Sequence, residues 1–154
     1  AAHVTELATM TAGKVSAATG TVTFAEIADL YYSIEPAARV GGSFMFGSEI
    51  MNILRTLSNS GTGSELLFDP QLGGFRLFGA PVYENGYMAA PGANAITGAF
   101  GDWKKGLVIA QRSSASLGRF DQTVPGKYVY YAELRSGVSN WDNTALKTLK
   151  MAAA

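Results

Sequence analysis

Ser43-Phe44-Met45-Phe46-Gly47-Ser48-Glu49-Ile50-Met51-Asn52-Ile53-Leu54-Arg55-Thr56-Leu57 is the stretch on which the fold class turns. Its first four residues form a short apolar run behind Gly41-Gly42, long enough for one buried strand. Ser48 offers a hydroxyl to cap a helix, and Ile50, Ile53, Leu54 and Leu57 recur at steps of three and four, drawing one apolar stripe. The stripe ends in the glycine-rich Ser58-Asn59-Ser60-Gly61-Thr62-Gly63-Ser64. A strand that enters a capped helix and leaves by such a loop is an α/β unit.

Upstream, Thr23-Phe24-Ala25-Glu26 has the form of a capping box, in which Thr23 caps the helix and Glu26 reaches back to its backbone N–H. Phe24, Ile27, Tyr31 and Ile34, with Leu30 beside them, predict a helix with one apolar face, stopped by Pro36. Residues 1–22 are rich in Ala, Thr, Ser and Gly without a helical or strand period, and read as a linker or a loosely held strand.

Downstream the signal is β. Short apolar runs at 66–68, 75–78, 81–83, 95–100 and 107–110 are separated by Asp-Pro, Gly-Gly, Asn-Gly, Pro-Gly and Lys-Lys-Gly. Residues 113–120 and 127–135 read as the arms of a long hairpin around Asp121-Gln122-Thr123-Val124-Pro125-Gly126. In the second arm Tyr128, Tyr130 and Ala132 share one face, and Val129, Tyr131 and Glu133 the other. A two-stranded arm has too little core to bury aromatics on both faces. Its own domain or another molecule must cover part of it. The run 145–151 fits either a strand or a turn and a half of helix.

The chain has 154 residues, an apolar share of 47%, twelve Lys and Arg against twelve Asp and Glu, one His and no Cys. That length supports a core without staples. Balanced charge removes the electrostatic reason to expect nucleic acid or an anionic membrane as partner. Residues 1–77 hold four basic and seven acidic side chains and residues 78–154 eight and five, an asymmetry compatible with head-to-tail attraction between copies. Without Cys, thiol catalysis, disulfides and thiolate metal sites are excluded, and the single His3 lies in the small-residue N-terminal segment. No cofactor or metal is expected. No window approaches a membrane span. The chain starts Ala1-Ala2-His3 without Met, and reads as a processed piece of something longer.

Few residues suggest chemistry. Gly61-Thr62-Gly63-Ser64 is phosphate-loop-like but follows a helix instead of opening one, and neither Gly13-Lys14 nor Gly126-Lys127 completes a Walker loop. Asp102 with Lys104 and Lys105, or Glu133 with Arg135, are the candidate acid/base pairs; ion-paired structural charges are the commoner outcome.

The order of several strings carries a resemblance. Gly79-Ala80-Pro81-Val82-Tyr83, then Met88, then Ala99-Phe100-Gly101-Asp102-Trp103, then Tyr131-Ala132-Glu133-Leu134-Arg135-Ser136-Gly137-Val138, and finally Ala145-Leu146-Lys147-Thr148-Leu149-Lys150 resemble the C-terminal half of tailed-phage (prophage) major capsid proteins. The helix from Thr23 and the unit from Ser43 to Leu57 fit the same pattern, so the resemblance covers roughly 20–150. It implies an α+β fold of the Hong Kong 97 type. In that fold 23–111, closed by a strand at 144–151, form an axial domain with a mixed sheet and two flanking helices, and 112–138 form part of a peninsula β-hairpin.

The resemblance further implies a structural, non-enzymatic subunit found in the virion, and in host cytoplasm during assembly. Its partners are copies of itself, as hexamers and pentamers of an icosahedral shell around DNA, with no sequence-specific nucleic acid and no membrane. The candidate interface residues are Asp121, Gln122, Thr123, Val124, Tyr128, Tyr130, Tyr131, Glu133 and Arg135. Some relatives cross-link a Lys to an Asn on this arm beside a Glu; Glu133 fits the Glu, but 126–132 contain no Asn, and the chemistry is not carried over. The alternatives are an encapsulin-like nanocompartment shell protein and, from another class, a small ligand-binding module or enzyme using the loop at 58–64.

Overall fold

The computed structural model describes residues 7, 10–59, 67–69, 74–112 and 114–153. Outside that description lie the side chains at 58–59, 67–69 and 121–123, together with His3 and the loop Gly61-Thr62-Gly63-Ser64. The elements are, in order, β1 (Ala12–Val15), α1 (Phe24–Tyr32), α2 (Pro36–Arg39), β2 (Ser43–Phe46), α3 (Ser48–Asn59), β3 (Leu67–Asp69), β4 (Gly74–Leu77) and β5 (Ala80–Glu84). Then follow β6 (Ile96–Gly101), α4 (Trp103–Gly106), β7 (Leu107–Gln111), β8 (Ser116–Val124), β9 (Lys127–Glu133), β10 (Ser136–Asn140) and β11 (Leu146–Lys150). Seven strands make one mixed sheet in the order β1-β11-β6-β2-β5-β4-β3, parallel at β1/β11 and β2/β5 and antiparallel elsewhere. The fold is α+β.

Both faces of the sheet centre are covered. In register, Phe44 stands opposite Val82 on β5 and Phe100 on β6. The rings of Phe44 and Phe100 stack at 4.2 Å, with Phe46 at 5.5 Å from Phe44 and Tyr31 of α1 at 5.0 Å from Phe100. Onto this layer pack Ile27 and Leu30 of α1 and Ile50 and Leu54 of α3, all fully buried. The opposite face carries Ala99 and Leu146, covered by Leu7, Met10 and Met88, with Met45, Trp103 and Leu107 at the margin. A strand buried on two sides is apolar throughout, which is why these strands read as continuous runs and not as alternation.

Two open sequence readings are decided and two expectations change. Residues 12–15 are an edge strand pairing in parallel with β11, and Ser16 N–H donates to the Lys150 carbonyl at 2.8 Å, so a linker does not describe them. β11 is a strand, inserted between β1 and β6, where the helical option would leave β1 without a partner and β6 paired on one side only. Pro36 does not merely stop α1, which ends at Tyr32. It opens the separate one-turn α2, where its missing N–H costs nothing. Ser48 lies inside α3, with Met51 N–H bonded to the Gly47 carbonyl, so its hydroxyl is not the cap.

The capping box of α1 is present, and it does more than cap. Glu26 is buried; one carboxylate oxygen accepts from Ala17 N–H at 2.6 Å, and the other from Thr23 N–H at 2.8 Å and the Thr23 hydroxyl at 3.1 Å. It thus ties the loop after β1 to the helix. Burial pushes its pKa up, but the N–H donors of Ala17 and Thr23 and the hydroxyls of Thr23 and Ser16 outweigh it, leaving the value below the ordinary 4.5. A depressed folded pKa stabilises the protein above the unfolded value, and that contribution fades as pH falls through the folded one. Glu26→Gln should cost about 2 kcal/mol at pH 7. The gap to wild type should narrow in denaturant titrations as pH falls below 4.5. A pH-independent gap would contradict this role.

Candidate subunit-interface arm

Residues 107–140 leave the sheet as an extended arm. The main sheet delivers the chain at Gly101, and Asp102 turns it by accepting from Lys104 N–H at 3.1 Å, which caps α4. Trp103 pins this corner by donating its indole N–H to the Ser43 carbonyl at 3.0 Å. From there β7 pairs antiparallel with β10, and β8 with β9, as two consecutive two-stranded ribbons. The chain returns through Asp142, whose carboxylate accepts from the Thr144 hydroxyl and N–H; those bonds hold its pKa below the ordinary value.

The arm has no core. Among the described residues, Ile109, Leu117, Phe120, Tyr128, Tyr130 and Tyr131 are each at least half exposed. Register sets which of them share a face. Leu117 stands opposite Ala132 and Arg119 opposite Tyr130, with Tyr128 next along, while Phe120 faces Val129 and Gly118 faces Tyr131. The Arg119 guanidinium lies 3.9 Å from the Tyr128 ring centre. On the other face the Tyr131 hydroxyl donates to Glu133 at 2.7 Å, which raises the tyrosine's pKa, and Arg135 pairs with Glu133. Aromatic residues and Arg set out on both faces of a ribbon form the composition that dominates binding energy when desolvated.

The candidate residues fall as follows. Tyr128, Tyr130, Tyr131 and Glu133 lie on β9, and Arg135 just beyond it. Asp121, Gln122, Thr123 and Val124 are in β8 and not in a loop; the turn is only Pro125-Gly126, with Gly126 at φ +78°. Between the pairs Phe120–Val129 and Val124–Lys127, β8 spends two residues more than β9, so 121–123 form an irregularity at the arm's tip. Sequence reading missed β10, because Ser136-Gly137-Val138-Ser139-Asn140 has no strand composition. Its pairing with the apolar β7 supplies what its own residues lack.

The candidate acid/base pairs resolve as structural contacts. Asp102 caps α4 and lies 3.5 Å from Lys105, and Glu133 is engaged by Arg135 and Tyr131. Among the described residues no group of three His, Asp or Glu side chains is arranged to hold a metal, and no helix is long and apolar enough to cross a membrane.

Comparison with known proteins bears on the whole of this architecture. The chain resembles the capsid of an empty GTA particle at 28% identity and TM-score 0.70, covering 91% of this chain and 48% of that one. It resembles the capsid of the native GTA particle at 26% identity and TM-score 0.68, covering 90% and 48%. The mature capsid of bacteriophage PhiM1 shares the fold at TM-score 0.65 and 11% identity, over 97% of this chain and 59% of that one. The chain therefore spans about half the length of the GTA capsid chains it matches. No curated protein matches it. The model of the phage capsid family matches residues 3–151, through both the sheet and the arm, and the chain belongs to that family.

Proposed function

We propose that this chain is the structural part of a shell subunit that assembles with copies of itself into hexamers and pentamers of an icosahedral capsid around DNA. The observation that carries this reading is the arm: a ribbon with aromatic residues exposed on both faces has no stabilising reason to exist in a monomer. Neighbouring copies supply the cover. The sheet of 23–111 with 144–151, joined by β1, serves as the axial domain, and 112–138 as part of the peninsula. The work is geometric and not enzymatic, and its place is the virion, reached from host cytoplasm. A nanocompartment shell would need the same geometry, but no observation favours it over a capsid. The ligand-binding reading rests on a loop outside the described residues.

Negative-stain microscopy of the complete gene product expressed alone tests the proposal. Capsomer rings or closed shells are expected; monodisperse particles at high concentration would overturn it. A second outcome follows from the exposure of the ribbon. Leu117→Ser with Tyr130→Ser removes large groups that support no core, so thermal stability should move by less than about 0.5 kcal/mol per site. Self-association by sedimentation velocity should weaken at least roughly tenfold. Unchanged sedimentation would count against the arm as an interface.

A further inference from the structure

A cavity lined by arginines lies at one end of the central strands, and a cleft lined by a glutamate at the other. β2 and β5 are parallel, so both start at one end of the sheet, at Ser43 and Ala80, and finish at the other, at Phe46 and Glu84. At the starting end a cavity of about 300 Å³ opens between α2 and the β4–β5 turn, lined by Arg39, Arg76, Tyr31 and Phe78 with neighbouring backbone. Arg39 is held there in advance. Its Nε donates to the Ile34 carbonyl at 2.7 Å and its Nη2 to the Tyr32 carbonyl at 3.4 Å, and its guanidinium lies 5.0 Å and 5.5 Å from the Tyr32 and Tyr31 ring centres. None of these partners is an anion. Of the acids at this end, Asp102 pairs with Lys105 at 3.5 Å, and Glu35, one helical turn away, forms no ion pair with Arg39. A half-buried guanidinium, already oriented and lacking a counter-charge, takes a carboxylate at low entropic cost.

The finishing end is its complement. A cleft of about 530 Å³ is lined by Ser48, Glu49, Asn52, Ile53, Gly20 and Pro91, and a smaller one of about 120 Å³ continues from Glu49 to Met88. Glu49 and, at the end of β5, Glu84 are exposed, and neither is in an ion pair among the described residues. No Lys or Arg occurs in 40–54 or 77–103. Lys150 is the cation at this end of the sheet, but it stands on β11, two strands from β2, or about 10 Å at ordinary strand spacing.

We propose that copies of the chain meet head to tail through these ends, the Arg39 cavity of one receiving the Glu49 carboxylate of the next. The proposal rests on the shell-subunit reading and names a contact within it. Every copy carries both halves, so the contact repeats, and a heterologous contact whose rotation closes makes a ring. A recessed guanidinium matched by an acid on the same chain fits this better than nucleic acid, which needs a surface that tracks many phosphates. The polarity runs between the ends of the sheet, not between the halves of the sequence, since Arg39 and Arg76 both belong to the acidic half.

The test is a charge exchange in the complete gene product: Arg39→Glu, Glu49→Lys and the double variant, with rings counted by negative stain and sedimentation and folding checked by circular dichroism. Each single reversal should reduce rings roughly tenfold or more, and the double should regain most of them. Wild-type assembly should also weaken with salt. Folded single variants that assemble as wild type, or a folded double no better than either single, would overturn the contact while leaving the shell reading intact. A wild type that forms no rings would overturn both. Should Arg39→Glu not fold, Glu49→Lys decides alone, because Glu49 is exposed in the first turn of α3 and supports no core; normal rings from it would overturn the proposal.

Discussion

Phe44→Ala should destabilise the folded chain by about 3–5 kcal/mol, the range for deleting a fully buried aromatic ring. Phe44 has no exposed surface and lies in the middle strand of the main sheet. Its ring contacts Phe46, Phe100, Phe78 and Tyr31, the last two from the β4–β5 turn and α1. Truncation leaves a cavity walled by a strand on each side and helices above, elements that cannot collapse without breaking backbone pairing. For a chain of this length the loss corresponds to a fall in Tm of roughly 10 °C. Phe120→Ala, on the uncovered arm, should move it far less, since that ring is 53% exposed. Equal effects from the two would mean that the core is not where the structure places it.

Gly101→Ala should cost roughly 4 kcal/mol, an unusual amount for one methyl group. Gly101 sits at φ +148°, a backbone conformation that L side chains avoid, and an added Cβ would run into the Ala145 carbonyl and within 2.8 Å of Leu146 Cα. These are backbone atoms held by the β6–β11 pairing, and the Ala145 carbonyl also accepts Asp102 N–H at 2.9 Å. Relief would therefore have to come from the strand that closes the sheet. Gly137→Ala is the control: an added Cβ there meets nothing within 4 Å, and chemical denaturation should find less than about 0.5 kcal/mol of change. A mild Gly101→Ala would show that β11 can shift past β6.

Local chemistry made part of this architecture legible. The Thr23–Glu26 box announced α1 because both partners lie within one helical turn, and the stripe from Ile50 to Leu57 announced α3 for the same reason. What stayed hidden depends on distant partners. Residues 12–15 have no strand pattern, yet β11, more than a hundred residues later, makes them a strand. Likewise β10 is ordered by β7. Pro36 reads as a stop in the sequence, although the same missing N–H suits it to start a helix. For the arm, alternation fixes which tyrosines share a face, while whether its own domain covers them is open in the sequence and is decided by the exposure of both faces in the structure. The cation at Arg39 is not legible in the sequence, because its setting is made by carbonyls and rings that only the fold brings together.

If neighbouring copies cover the arm, assembly must protect its backbone from solvent. Hydrogen–deuterium exchange of the complete gene product, compared between dissociated subunits and assembled particles, reads this directly at the amides of β8 and β9. Exchange there is expected to slow at least roughly a hundredfold on assembly, while amides of β2 and β6, already buried, change little. Exchange in β8 and β9 that is equally fast in particles and subunits would contradict it.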